Sequence, residues 1–403
     1  MSAGTEREPM IRPPALRTGW AASASRLELF FDLAYVLVVY ELAATFLKDM
    51  TWSGFGTFVS LFVAIWMSWV GYTLYANRFD TDDVVFRIAK LAATLSIAGC
   101  AAAASAATSS FSTPFAMSFL AGRLILLLLH ARAWRHIPDA RPTIGVYLTT
   151  IAVSSVLWAV SLAVVGPARY WLWAVAVAAD AAGPVIATWR DNHLPLHMEH
   201  LPERFGLLVI LVLGEAVGGA ATGVHDTMWV APAVAVGVAG FVIAAAMWWN
   251  YFDVTAASSA ASLQRRDDDE RGGKAADERH DLFVYGHLPL ALGIVMAGVG
   301  VEDLVLHPDA LPSAGGWTLA AGLVLFLAGC ALILGGSRRS WRATWPWPTA
   351  AIPIVLAVAA VGQWNALLLV AGFALLCLAL AVRGTLSRRS DTEGRASCED
   401  GAR

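Results

Sequence analysis

Residues 26 to 48 read RLELFFDLAYVLVVYELAATFLK, an apolar run bounded by Arg26 and Lys48 that carries three acids inside it, Glu28, Asp32 and Glu41. About 20 apolar residues suffice to cross a bilayer as a helix. Each ionised carboxylate near the centre of such a helix costs about 3 kcal/mol on insertion scales. A helix needed only as an anchor would not carry that cost. At about 100° per residue, Glu28 and Asp32 fall one turn apart on one face, and Glu41 points close to the opposite side, roughly 20 Å further along. The helix is therefore expected to meet protein or water on two sides.

The same pattern runs through the whole chain, which is 58% hydrophobic and 15% charged, against roughly 25% charged in a soluble domain. Apolar runs recur near 26–48, 52–76, 84–107, 111–131, 143–165, 168–189, 204–223, 229–252, 281–300, 315–336, 345–362 and 364–383. They predict an all-α, polytopic membrane bundle of about twelve transmembrane helices. With a cytoplasmic N-terminus, the loops on the far side hold only Lys48 and Arg169, and Arg123 lies inside a span. The remaining Lys and Arg fall on the cytoplasmic side or at its helix ends, as the positive-inside rule requires. Both termini are thus expected in the cytoplasm of a multi-pass inner-membrane protein whose surroundings are the lipid bilayer, with no nucleic-acid partner.

Residues 1–25 are polar and lack a short apolar core with a small-residue cleavage site, so the first span is expected to insert itself. Cys100, Cys330, Cys377 and Cys398 are isolated and form neither a disulfide framework nor a thiolate metal site. The linker at 190–203 holds His193 and His197, with His200 following. That spacing suits a metal on a helix, but Pro195 and Pro202 break it, and a solvated linker with no metal and no cofactor is expected. The charged stretch 253–280 reads as a mobile cytoplasmic connector, and residues 384–403 read as a tail against lipid head groups. Most of the Trp residues, among them Trp52, Trp171, Trp173, Trp189, Trp229 and Trp345, stand near span ends, where interfacial belts place them. Trp66, Trp69, Trp248 and Trp249 lie deeper or face the motif described next.

That motif is YANRFDTDD at 75–83, echoed by WWNYFDVTA at 248–256. Asn77, Phe79 and Asp80 match Asn250, Phe252 and Asp253 at one offset, and Glu41 matches Glu215 at nearly the same offset. The spacing predicts two parallel six-helix repeats, 26–189 and 204–383. The cytoplasmic ends of spans one, two, seven and eight then gather Glu28, Asp32, Asn77, Arg78, Asp80, Glu203, Arg204, Asn250 and Asp253 into a polar cluster, which either pairs with itself and water or carries chemistry. A deeper group comprises Arg123, Asp180, Glu215, Glu41 and His287. Arg123 needs a carboxylate partner, Asp180 or Glu215, and reads as a structural clasp. Glu41, Glu215, Asp180 and His287 are the candidates for proton or cation relay.

LELFFDLAYVLVVYELA (27–43), YANRFDTDD (75–83), AGRLILLLLHARA (121–133), WLWAVAVAADAAGP (171–184), HLPERFGLLVILVLGEAVGG (200–219) and YGHLPLALGIVMAGVGVE (285–302) resemble the bacterial low temperature requirement A family over residues from about 26 to 302. The resemblance implies a multi-spanning inner-membrane protein with Glu28, Asp32, Asn77, Arg78, Asp80, Arg123, Asp180, Glu203, Arg204, Glu215 and His287 as its polar signature. It implies no substrate, because the family name records a growth requirement. Three functions compete. A proton-coupled secondary transporter or ion-conducting protein for a small solute or ion follows from paired halves and intramembrane carboxylates. A membrane-embedded enzyme would use Glu28 and Asp32 as acid and base or as ligands of a divalent ion. A non-catalytic sensor or scaffold would keep all the polar groups as clasps. No Ser-His-Asp order, His-Glu-x-x-His or phosphate-cradling glycine loop supports the enzyme.

Overall fold

The computed structural model describes residues 11–17, 25–80, 82–190, 201–256, 274–311, 314–337 and 346–400. Among them are twelve α-helices: α1 Arg26–Lys48, α2 Trp52–Arg78, α3 Val84–Ala104, α4 Ser112–His136, α5 Arg141–Ser161, α6 Pro167–Trp189, α7 Leu201–Asp226, α8 Ala231–Trp249, α9 Lys274–Leu306, α10 Ala314–Ser337, α11 Pro346–Val361 and α12 Ala366–Asp400. Eleven are long and apolar enough to cross a membrane. The exception, α11, has 16 residues with Pro353 inside it, about 24 Å at the helical rise and short of a hydrocarbon core. The fold is the polytopic helical bundle expected from the apolar runs.

Sequence and membrane explain the inverted faces of α1. Phe30, Leu33 and Leu37 are about half exposed, whereas Asp32, Phe31 and Val38 are 0% exposed. The acid is inside and the apolar stripe outside, the arrangement lipid demands. Ser25 and Glu28 start this helix as a reciprocal cap: Ser25 N donates to Glu28 Oε2 at 2.9 Å and Glu28 N donates to Ser25 Oγ at 3.2 Å. Two of the N–H groups at this helix start are thereby satisfied.

By contacts the chain forms two compact units, residues 1–38 with 63–201, and residues 39–62 with 202–403. The second begins within the linker between the sequence halves, but the turn joining α1 to α2 and its flanking helical ends group with the later helices. In the first unit a two-residue strand, Ala15–Leu16, pairs antiparallel with Phe79–Asp80. Asp83 caps α3 by accepting from Phe86 N at 3.0 Å, accepts from Arg12 N at 3.2 Å, and takes both terminal nitrogens of Arg132 at 2.7 and 3.1 Å. Burial opposes ionisation of Asp83, but Arg132 and the two amides outweigh it and hold the carboxyl below the usual carboxylate range. A depressed pKa contributes stability that is present above the unfolded value, about 3.9, and is lost as pH falls through the folded one. Asp83→Ala is therefore expected to lower the melting temperature at pH 7, losing about 1 kcal/mol from the cap alone. The gap to wild type should narrow as pH falls below the usual carboxylate range in a melting series across pH.

At the other end of the first unit, Arg169 holds three helix ends together. It is 7% exposed and donates to the Ser161 and Val164 carbonyls at 3.0 and 2.8 Å and to Ser112 Oγ at 2.5 Å. Ser161 is the last residue of α5, whose final carbonyls lack α-helical donors, and Val164 stands in the turn that follows. Arg169→Lys, which keeps the charge but loses the planar fork, is expected to cost about 1 to 2 kcal/mol of thermal stability in detergent.

In the second unit α9 and α10 pack backbone to backbone through two glycine series seven residues apart, Gly286, Gly293 and Gly300 against Gly329, Gly322 and Gly315. A Cβ on Gly293 would lie 2.5 Å from the Gly322 carbonyl oxygen, and one on Gly322 would lie 2.5 Å from Ala297 N. Without a hydrophobic drive between helices in lipid, such close approach supplies the packing. Of the stretch read as a connector at 253–280, residues 257–273 lie outside the described residues. Asn250–Ala256 extends α8 as a wide helical turn and α9 begins at Lys274, because KAADERHD is built of helix formers despite its charge. The tail at 384–403 is likewise helical as far as Asp400. His193, His197, His200, Pro195 and Trp345 lie outside the described residues.

Candidate functional site

Each unit has its own polar interior. In the first, Asp32 on α1 accepts from Trp69 Nε1 on α2 at 2.8 Å, and Tyr35 bonds Ser68 at 3.0 Å. Asn77 is buried, and Arg78 donates to Tyr147 Oη at 2.8 Å with its guanidinium 4.9 Å from that ring. The backbone of Asp80 lies in the two-stranded pair. Arg123 of α4 pairs with Asp180 of α6, and Ser154 of α5 donates to the other Asp180 oxygen at 2.8 Å. The partner left open between Asp180 and Glu215 is thus Asp180. Nε and Nη1 of Arg123 are buried without hydrogen-bond partners among the described residues.

Two members of this interior were not singled out by the sequence. Lys90, on α3, is 1% exposed, and its Nζ lies 3.6 Å from the Phe31 ring centre and 5.1 Å from that of Tyr72. Counting it with the cytoplasmic helix ends missed it, since seven residues into a span its stem is long enough to reach the aromatic pair. His130, 3% exposed, sits among Tyr75, Phe79 and Tyr147. Trp173, expected at the interface, is instead 5% exposed and stacked on Trp158 at 4.8 Å.

In the second unit Glu203 is exposed in the first turn of α7 and Arg204 is buried behind it. Asn250 donates to the Ala246 and Cys377 carbonyls at 2.9 and 3.3 Å, and Asp253 is half-buried in the wide turn. Of the polar cluster expected from four spans, Glu28, Asp32, Asn77, Arg78 and Asp80 belong to the first unit and Glu203, Arg204, Asn250 and Asp253 to the second. His287 donates from Nδ1 to the Phe283 carbonyl at 2.7 Å, so that Nε2 is left to accept from Tyr251 Oη at 2.9 Å. Phe205 lies 4.5 Å from its ring. Glu41 is half-buried.

Glu215 stands in the middle of α7, half-buried overall. Its Oε2 is buried and has no hydrogen-bond partner among the described residues. Gly214 and Gly218 flank it, and a Cβ added to either would meet nothing within 4 Å. One turn on, Glu302 of α9 lies against the α7 backbone, where a Cβ on Gly219 would sit 2.5 Å from its Oε2. Glu302 was not singled out from sequence because it closes an apolar run and looks like a helix end. No group of three or more His, Cys, Asp or Glu among the described residues is arranged to hold a metal ion.

The chain as a whole matches a known family. The family model described as "Bacterial low temperature requirement A protein (LtrA)" matches residues 23–384. The chain belongs to the LtrA family. A relative, an uncharacterized protein of Rhizobium meliloti (strain 1021), is 28% identical over 337 residues, covering 76% of each chain. No solved structure matches the chain. LtrA membership and the eleven long apolar helices together make this an integral, multi-pass membrane protein.

The LtrA motifs that suggested duplicated halves adopt different backbones here. Phe79–Asp80 is a strand, whereas Phe252 and Asp253 lie in the wide turn. Phe31 and Phe205 share the offset of Glu41 and Glu215, and each packs on a buried basic side chain, Lys90 or His287, beside a tyrosine, but these partners do not themselves stand at that offset.

Proposed function

We propose that this LtrA protein is a proton-coupled secondary transporter of the inner membrane, with both termini in the cytoplasm and Glu215 as its proton-binding carboxylate. One observation carries the reading: among the described residues Glu215 holds a buried oxygen without a hydrogen-bond donor, and the charge that acts on it is a second carboxylate, Glu302. Two acids without a base inside a span are costly unless one of them binds a proton or a cation. That arrangement differs from Asp180, which is met by Arg123 and Ser154, and from His287, bonded on both ring nitrogens. These two belong to the bracing of their units, and Glu41 serves the pathway alongside Glu215. Glu28 caps α1 and Asp32 holds Trp69, roles that fit structure better than an acid–base pair.

The purified protein is reconstituted into vesicles holding a pH-sensitive dye, and a proton gradient is imposed with a potassium potential to balance charge. Wild type should acidify the lumen, and Glu215→Gln should fall to the leak of empty vesicles while eluting as the same monodisperse species in detergent. Glu203→Gln, at the exposed start of α7, should leave the rate unchanged. Equal proton movement in wild type and Glu215→Gln would sink the reading.

A further inference from the structure

The carboxylates of the second unit continue beyond Glu215. Asp226 ends α7, eleven residues or about 16 Å along the axis from Glu215, and is close enough to Glu302 for the two charges to repel. Glu302, held on the Gly219 backbone, stands between them, roughly 10 Å from the Asp226 level and 6 Å from that of Glu215 by helical rise. The three acids therefore descend from an exposed helix end, through a half-buried position, to a buried oxygen with no partner among the described residues. The other ionisable groups around them are few. His225 bonds Asp226 at 3.1 Å, and Asp303 with His307 at 3.3 Å occupies the neighbouring face of α9. α8 carries no ionisable side chain, and α10 carries only Cys330. Nothing basic beyond the mouth histidines interrupts the series among the described residues of these helices.

We propose that Asp226, Glu302 and Glu215 form a proton file that loads Glu215 from the Asp226 end of α7. A proton from bulk water adds to the Asp226 carboxylate, passes to Glu302 and then to Glu215, and each donor returns to a carboxylate, so charge and atoms balance at every step. Gly219 is part of the device, because its missing side chain leaves room for the Glu302 carboxyl. The proposal deepens the transporter reading and rests on Glu215 as its proton site, but its test does not require transport.

The test is infrared difference spectroscopy of the purified protein, following the protonated-carboxyl band that disappears in Glu215→Gln. On dilution into deuterated buffer that band shifts as the Glu215 proton exchanges, and the shift rate reports access. Glu302→Gln and Asp226→Asn should each slow the shift by on the order of tenfold or more. Gly219→Ala, which keeps every ionisable group but displaces the Glu302 carboxyl, should slow it too, and Glu203→Gln at the opposite end of α7 should not. Unchanged exchange in Glu302→Gln and Asp226→Asn, or the absence of any band belonging to Glu215, overturns the file. Slowed exchange together with no proton movement in wild-type vesicles upholds the file and refutes the transporter.

Discussion

Gly293→Leu is expected to leave no folded protein to purify, and Gly293→Ala to cost more than about 3 kcal/mol. The reason is geometric. A Cβ at Gly293 would sit 2.5 Å from both the Gly322 carbonyl oxygen and Phe326 N, which are backbone atoms of the facing helix and cannot turn aside. The clash would be relieved only by separating α9 from α10. That separation would also open Gly300 against Leu319 and Gly286 against Ile333, so one methyl group acts on the whole seam. Gly322→Ala should behave alike from the other side. Gly145→Ala is the control: nothing lies within 4 Å of its Cβ position, and mid-helix Gly→Ala should be neutral or stabilising by about 0.5 to 1 kcal/mol. The check is the fraction of monodisperse protein surviving a heating series in detergent. If Gly293→Ala melts with Gly145→Ala, the seam does not hold the unit together.

This seam also shows what kind of information the sequence carries openly. Spans are legible because length and hydropathy measure directly against bilayer thickness, and α1 through α10 fall where the apolar runs predict them. The glycine series was equally visible, at seven-residue intervals in both helices, but glycine counts as neutral filler in a hydropathy scan and its meaning lies in the partner helix. The polar interior was legible in kind and not in pairing. Arg123 requires an acid, yet axial depth alone puts Asp180 and Glu215 at similar levels, and only the packing of α4, α5 and α6 selects Asp180. Lys90 escaped because its Cα lies near a helix end while its amine is carried inward to Phe31 and Tyr72. Glu302 escaped for the same reason at the other end. The repeat letters at Phe79–Asp80 and Phe252–Asp253 were legible as letters, but their backbones follow local context, a strand against Ala15–Leu16 in one case and a continued helix in the other.

The pair formed by Arg123 and Asp180 gives the second large effect and separates bracing from function. Arg123→Met alone leaves a buried carboxylate held only by Ser154, and Asp180→Leu alone leaves a guanidinium 2% exposed and unpaired. Each single variant should cost about 3 to 5 kcal/mol, the usual result of orphaning one member of a buried ion pair. The double variant, Arg123→Met with Asp180→Leu, should recover most of that loss, because it removes the desolvation of both charges and the two guanidinium nitrogens that lack partners among the described residues. Melting temperatures of the four proteins close a double-mutant cycle, and a coupling near zero would refute the clasp. The same four proteins in proton-loaded vesicles decide the role. A double variant that is stable and still moves protons assigns the pair to bracing. A stable one that does not would add Asp180 to the proton path proposed for Glu215, and proton movement would then need groups of both units.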